Sequence, residues 1–577
     1  MLLTAWVPAL VTLGVTLSGI TGASFWGDEA ATLSAVQRPL PALWRMLGNV
    51  DAVHGTYYFL TWVAVRLAGT GELGARLPSA LAMAAAAAGI AAIGRRMVSA
   101  RAGLAAGLAF AAFPVVSRFG QEARPYAMVT ALAVLASYLL VRALEADGRR
   151  RGWLAGYALA LACLGAMNLM GLLLIPAHAV SVAGLAGHPV KPADRGAAAG
   201  DGRAGARLVV GWLAAVAASL AAVSPLALVA WHQRGQDSWI PRPTAAIPAD
   251  LLAGLTGSLA LLEAITLAAM AGLCWDRTGG ARATTRLARL CVPWLTLPPA
   301  ILLAASLVHP VYLFRYVLYC VPALALLAGA GIAELSWAGA RTMPVMLAVL
   351  GILAIIGMPA QLSARTPTGH GDNLRLAAQI LAAEERPGDI VLYNPDSGLR
   401  VRTAAYASAY TRLRDAGLRQ SPAQAGNFEG TVAPKDVILD QIAGADRIWV
   451  IANKGHRYHS DPVLSGLLFG VVHSWRVGSF RLTLLERGKA RVTRIRSPVP
   501  HESRRSASPA SSGVTESADH AAAHSARSPS ILSPEPVSSS PAPLAGQRAV
   551  QPPQEKASSR TITAGCGSSS PERSAAM

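Results

Sequence analysis

Five short passages hold the residues of this chain that can do chemistry. WGDEA (26–30) sets Asp28 beside Glu29, directly after Phe25 and Trp26, and DAVHGTYY (51–58) adds Asp51, His54 and Tyr57. QEARPYAM (121–128) carries Arg124 and Tyr126, HQRGQDSWIPRPT (232–244) carries Trp239, and HPVYLFRY (309–316) carries Arg315 and Tyr316. Carboxylates set against separated arginines suit transfer of a sugar away from a lipid-linked phosphate. The acceptor hydroxyl must lose a proton, and one carboxylate can serve as general base. The leaving phosphate is already acidic. It needs cations rather than a general acid, and Arg supplies paired hydrogen bonds. Glycoside hydrolysis differs, because it usually needs two cooperating carboxyl groups.

Each residue also has a plainer reading. Asp28 can cap a helix beginning at Glu29, and Glu29 suits the positive end of that helix. Phe25, Trp26 and Trp239 suit anchors at a membrane interface. Arg124 and Arg315 can snorkel to headgroups, and His54 can be an interfacial hydrogen-bonding residue.

The elements that must position these residues are membrane spans. Of the 577 residues, 53% are hydrophobic and only 14% charged, against about a quarter charged in a soluble domain. Apolar runs fall at 2–22, 77–94, 102–118, 125–143, 153–167, 169–187, 209–231, 250–274, 289–308, 314–333 and 342–361. Each is near the length that crosses a bilayer core, which gives about eleven crossings. The net charge of +19 does not signal nucleic acid, because Arg clusters in short loops between these runs. GRRMVSAR (94–101), DGRRRG (147–152), the 188–207 loop with Lys191, Arg195, Arg203 and Arg207, and DRTGGARATTRLAR (276–289) fall on one side if 153–187 crosses twice. The positive-inside rule makes that side cytoplasmic. The N-terminus is then inside, and the first long loop (23–76) and everything after about 362 are outside. The first run lacks the basic flank of a signal peptide and reads as a retained helix. The five cysteines, Cys163, Cys274, Cys291, Cys320 and Cys566, have no metal or disulfide spacing.

Residues 1–362 therefore read as a membrane domain. Residues 363–487 change character, with an amphipathic stretch, DNLRLAAQILAAEERPGD, and the strand-like segments DIVLYN, RIWVIAN and FRLTLLE. This is the pattern of a small α/β domain outside the membrane. From 488 to 577 the chain is rich in Ser, Pro, Ala and Arg, a composition that cannot bury enough apolar surface to order itself.

Taken in order, WGDEA, DAVHGTYY, RLPSALA (76–82), QEARPYAM and the later HPVYLFRYVLYCVPALALLAG (309–329) resemble the GT-C superfamily of integral membrane glycosyltransferases. The likeness is to its family 39-like branch of bacterial mannosyltransferases and lipid A aminoarabinose transferases, over roughly residues 1–487. The resemblance implies an inverting transferase that moves a sugar, mannose first among candidates, from a polyprenyl-phosphate to an acceptor hydroxyl at the outer face of the cell membrane. By the same resemblance, Asp28 matches the catalytic acid, with Glu29 its neighbour. Arg124 with Tyr126 and Arg315 with Tyr316 match donor-phosphate positions, and Asp51, His54, Tyr57 and Trp239 are candidates for sugar or acceptor contacts. Relatives often carry His-Pro-Pro-x-Tyr where this chain has Gly55 and Thr56 after His54. A divalent cation bridging Asp28 or Glu29 to the phosphate is compatible with the set, but the sequence has no metal motif. The acceptor stays open among protein Ser/Thr, glycolipid and cell-wall glycan. A polytopic transporter or flippase, or a non-catalytic scaffold, is the alternative class. Against transport, the ionisable residues cluster in loops and no repeated halves are evident.

A reporter fused after residue 487 should be active only outside the cytoplasm; activity inside would break the charge argument and move every proposed loop to the other face.

Overall fold

The computed structural model describes residues 3–145, 149–185, 202–237, 239–244, 246–274, 281–335, 342–393, 398–453 and 468–488. The proposed tail, from 489 onward, lies outside the described residues, as do much of the 188–207 loop and residues 275–280.

Each apolar run of the sequence lies on a helix or a helix pair. Six described helices are long and apolar enough to cross a membrane: Glu72–Met97, Tyr126–Glu145, Gly205–His232, Ala283–Val308, Phe314–Glu334 and Met343–Ala364. Two bent pairs, Ala100–Ala112 with Pro114–Gly120 and Ile247–Thr256 with Leu259–Met270, raise the number to eight. The expectation of eleven is therefore reduced to six to eight spans among the described residues. The difference comes from segments such as Leu3–Leu17, which is apolar but only 15 residues long, and Arg150–Met167, of 18 residues, which begins with two arginines. An apolar run in the sequence need not continue as one straight helix of spanning length.

The N-terminal half supplies most of the site. Its helices are α1 (Leu3–Leu17), α2 (Gly27–Val36), α3 (Leu40–Asn49), α4 (Gly55–Ala68), α5 (Glu72–Met97), α6 (Ala100–Ala112), α7 (Pro114–Gly120) and α8 (Tyr126–Glu145). α6 and α7 meet at a 66° bend. Pro114 opens α7, and Phe113 before it is extended, with φ −72° and ψ 122°. A proline lacks the N–H that would continue the helix and disfavours helical geometry in the residue before it. That break turns Arg118 and the 121–125 loop toward the first loop. A second break, of 74°, falls at Gly257, whose φ of +85° is open to glycine at little cost.

The C-terminal region holds the three expected strands. Its strands are β1 (Ile390–Tyr393), β2 (Arg414–Asp415), β3 (Leu418–Gln420), β4 (Thr431–Val432), β5 (Arg447–Asn453), β6 (Phe469–Val477) and β7 (Phe480–Arg487). Five form a mixed sheet in the order β2-β1-β5-β7-β6. β1 runs parallel to β2 and β5, while β7 is antiparallel to β5 and β6. β3 and β4 form a separate antiparallel pair. Side chains alternate across a strand, and β5 is buried on both faces. Ile448 and Val450 face one core with Ile438 and Ile442 of the helix Lys435–Ala443. Trp449 and Ile451 face the other with Leu374, Ala377 and Leu381 of the helix Leu374–Glu384. That second core is continuous with the membrane helices. Trp449 stacks on Trp475, with ring centroids 5.7 Å apart, and its indole N–H donates to Asp389 over 2.9 Å.

The α/β region is pinned to the first loop. Arg375 donates to Glu72 at 2.7 Å and to the carbonyls of Thr21, Gly22 and Ala23. The Tyr406 hydroxyl donates to Glu72 over 2.6 Å and also receives the Phe25 backbone N–H. Arg38 reaches the Asn427 carbonyl at 2.5 Å. The chain entering WGDEA is thus held on one side by membrane helices and on the other by the α/β region.

Candidate active site

α2 begins at Gly27, with Trp26 in the N-cap position and extended, and it has no side-chain cap bond. Asp28 is therefore not the cap. It lies in the first turn beside Glu29, where the helix dipole favours a carboxylate. The two acids then diverge. Successive helix residues point about 100° apart, so one turns to the interior and the other toward Arg315.

Glu29 is fully enclosed. Arg76 of α5 grips it with two nitrogens, at 2.8 and 2.7 Å, and the Ala123 backbone N–H donates to it over 2.8 Å. The remaining Arg76 donors go to the carbonyls of Ile20, Ala23 and Ser24. His370 stands 3.7 Å away on the other side. Burial pushes the Glu29 carboxyl up, but the Arg76 guanidinium more than offsets it and holds the group well below the usual carboxylate range. Burial pushes the His370 imidazole down to about 4, so it is neutral at pH 7.

Asp28 keeps 28% of its side-chain exposure and lies 3.2 Å from Arg315, itself 17% exposed. Its Oδ2 has no aligned hydrogen bond. Aromatic rings frame Arg315: its guanidinium carbon lies 5.8 Å from the Trp26 ring centre, 5.9 Å from Tyr126 and 5.7 Å from Trp239. Tyr126 and Tyr316 face each other at 6.4 Å. Trp239 itself is 59% exposed.

Asp51, His54 and Arg124 form a second group. His54 Nδ1 is 2.5 Å from Asp51, whose other oxygen accepts the Tyr58 hydroxyl. His54 Nε2 faces an Arg124 terminal nitrogen at 3.3 Å. Tyr57 is buried and lines neither cavity described below. Sequence reasoning quoted Arg76 and Glu122 inside larger passages without giving them a role. Glu122 is buried and takes one contact from Arg118, at 2.5 Å. Burial pushes its carboxyl up, and Arg118 only partly opposes this. Two acids at equal burial thus shift in opposite directions. Arg76 grips Glu29 with two nitrogens from inside the protein, whereas Arg118 is partly in solvent.

Two cavities adjoin these groups. One, of about 340 Å³, is lined by Asp51, His54, Asn168, Trp231, His309 and Tyr316 among others. The other, of about 1150 Å³, is lined mainly by apolar side chains, including Leu43, Trp44, Phe59 and Leu226. Ala52 and Gly55 line the large one, while Asp51 and His54 line the small one, so the same short segment separates them. No group of three or more metal-ligating side chains occurs among the described residues. The carboxylates Asp28, Glu29 and Glu122 are paired with Arg315, Arg76 and Arg118, and Asp51 is hydrogen-bonded to His54.

The chain resembles known proteins in part of its sequence and in its fold. Residues 56–188 match the family described as dolichyl-phosphate-mannose-protein mannosyltransferase. The apo structure of ArnT from Cupriavidus metallidurans is similar at a TM-score of 0.56 and 16% identity, covering 83% of this chain and 97% of that one. The chain therefore shares the fold of that structure. ArnT bound to undecaprenyl phosphate is similar at a TM-score of 0.54 and 16% identity, with the same coverage. The arabinofuranosyltransferase AftD from Mycobacteria aligns at 0.46 and 15% identity, over 84% of this chain and 40% of its own length. No curated protein matches the sequence.

Removing one partner of a buried ion pair costs about 3–5 kcal/mol, because the other charge is left uncompensated. Glu29→Gln and Arg76→Met should each lower the melting temperature of the purified protein markedly. A carboxyl held below its ordinary range contributes stability that is present above about pH 4 and lost as the pH falls further. The wild-type melting temperature should therefore drop on acidification below that point, and the Glu29→Gln variant should lose this part of the dependence. A wild-type melting temperature in either variant would remove the pair from its structural role.

Proposed function

We propose that the chain is an inverting glycosyltransferase that moves a sugar, mannose first, from a polyprenyl-phosphate donor to an acceptor hydroxyl at the outer face of the membrane. The observation that carries this reading is the split between the two neighbouring acids. Glu29 is locked inside, whereas Asp28 stays partly exposed opposite Arg315. The family match over 56–188 supports mannose, and the lipid carrier bound to the ArnT neighbour supports a polyprenyl-phosphate.

In this mechanism the acceptor oxygen attacks the anomeric carbon as Asp28 takes the hydroxyl proton. The bond from that carbon to the phosphate oxygen breaks, and the polyprenyl phosphate leaves with the electron pair. One displacement inverts the anomeric centre. Arg315 and Arg124 hold the departing phosphate, whose charge grows in the transition state, so fixed cations there lower the barrier rather than merely tighten binding. Arg315 is paired with Asp28. An incoming phosphate competes for that guanidinium and releases the carboxylate at the moment a base is needed. The large apolar cavity suits the prenyl chain, and the smaller polar one suits the sugar head. Glu29 sets the pose of α2 and touches no reacting atom. No step is assigned to a metal ion.

The direct test is to incubate the purified protein with labelled polyprenyl-phosphate sugars and a membrane extract and to identify the labelled product. Absence of transfer from every such donor would reject the reading. Asp28→Asn should lower turnover at least about a hundredfold, the usual worth of a general base, with donor affinity changed much less. Near-normal turnover would eliminate Asp28 as the base. Arg124→Lys and Arg315→Lys should each lower turnover although the charge remains, because Lys lacks the planar two-point contact. The Ala variants should cost about 2–4 kcal/mol in activation free energy. Snorkelling predicts that Lys works as well as Arg, so wild-type rates in both Lys variants would sink the phosphate clamp.

A further inference from the structure

Four arginines of the site differ in what holds them. Arg76, Arg118 and Arg315 are each paired with a carboxylate, Glu29, Glu122 and Asp28 respectively. Arg124 is held instead by the His54 imidazole. The distinction matters for an anion. A guanidinium bonded directly to a carboxylate has charge and donors engaged by it, whereas Arg124, on which Asp28 and Asp51 act only through space, keeps more of both for an incoming phosphate.

The hydrogen-bond directions follow from the donors present. A guanidinium has N–H groups only, so the His54 Nε2 facing it must accept. The proton of the neutral ring then sits on Nδ1 and is donated to Asp51 over 2.5 Å. The Tyr58 hydroxyl donates to the second Asp51 oxygen, and this fixes the carboxylate from the far side. Asp51 itself is the single non-glycine residue among the described ones with a positive φ, at 59°. That conformation is uncommon for a residue with a Cβ, though Asp adopts it more readily than most, and it persists where the surroundings over-determine it. Here they do. The Asp51 backbone N–H donates to Gln236 over 3.1 Å, and that of Ala52 to Gln233 over 2.9 Å. The Arg124 backbone is anchored separately, since its N–H donates to the Glu122 carbonyl over 2.9 Å and its carbonyl accepts the Ser79 hydroxyl over 3.4 Å. The Arg124 Nε has no hydrogen-bond partner and is buried, so the head has a donor left to offer.

We propose that Asp51, Tyr58 and His54 are positioning residues that hold the Arg124 guanidinium through the His54 ring rather than by a direct carboxylate contact, leaving a free donor for the phosphate of the lipid-linked substrate. This rests on the assignment of Arg124 to that phosphate. It reassigns Asp51 and His54, taken from the sequence as sugar or acceptor contacts, to the support of a cation.

Undecaprenyl phosphate is the probe, with affinity measured on the purified full chain in lipid nanodiscs. His54→Leu, which removes the acceptor, should weaken binding about tenfold, the scale of one hydrogen bond to a charged group. His54→Gln, whose amide oxygen can face the guanidinium, should recover most of that loss. In the Arg124→Lys background, His54→Leu should add almost nothing, because residues acting through one another are non-additive. Asp51→Asn keeps the shape of the residue and its left-handed backbone. It should weaken binding less than His54→Leu, and it serves as the second variant if His54→Leu does not fold. Wild-type affinity in His54→Leu, equal losses in the Leu and Gln variants, or additive losses with Arg124→Lys would each overturn the positioning role. Wild-type affinity in both Arg124→Lys and Arg124→Ala would instead reject Arg124 as a phosphate ligand.

Discussion

Arg76 spends all its N–H donors inside the protein: two nitrogens hold Glu29, and the rest hold the carbonyls of Ile20, Ala23 and Ser24. A guanidinium is acceptable at such depth only when every donor is met and its charge is matched. The requirement runs both ways. The loop must curl so that its carbonyls face α5, and α2 must turn its Glu29 inward. Once Glu29 is inward, Asp28, one residue earlier, turns toward Arg315. The orientation of the residue proposed as base is thus set by the burial of its neighbour.

The same pair fixes the second wall of the site. Glu29 accepts from the Ala123 N–H, and the Thr32 hydroxyl on the next turn of α2 donates to the Ala123 carbonyl over 3.0 Å. One residue of the QEARPY loop is therefore held at both backbone groups by α2. Arg124 follows it directly, so its starting point relative to Asp28 is determined by main-chain bonds. The proline break between α6 and α7 delivers this loop to α2. From outside, Arg375 and Tyr406 converge on Glu72, one turn before Arg76 on α5. The α/β region thereby stiffens the loop at its entry, and it contributes His370 against Glu29.

Much of this was legible in the sequence. The apolar runs marked the helices, the three β-rich segments marked strands, and the passages around Asp28, Arg124 and Arg315 marked the residues that meet in space. Span number was read less well. A hydrophobic count sees an apolar run, but it does not see that Pro114 and Gly257 bend a span or that Leu3–Leu17 ends early. Arg76 and Glu122 were in view inside quoted passages and drew no role, because an arginine near a membrane surface and an acid in a loop look alike whether they are exposed or enclosed.

Composition, charge placement and motif order determined by themselves that the chain crosses a membrane and that it carries an α/β region after the last span, and they singled out carboxylates and arginines as candidates for its chemistry. These are properties of local pattern and survive any small change in packing. Only the tertiary structure decided which acid is free. Asp28 and Glu29 are adjacent, chemically alike and equally placed for a helix dipole, and no property of the segment 24–32 separates them. What separates them is Arg76, 47 residues further along the chain, together with the Ala123 N–H, 94 residues from Glu29. Burial and ion pairing are sums over neighbours brought together by folding, so the roles of two adjacent carboxylates are written in residues far from both.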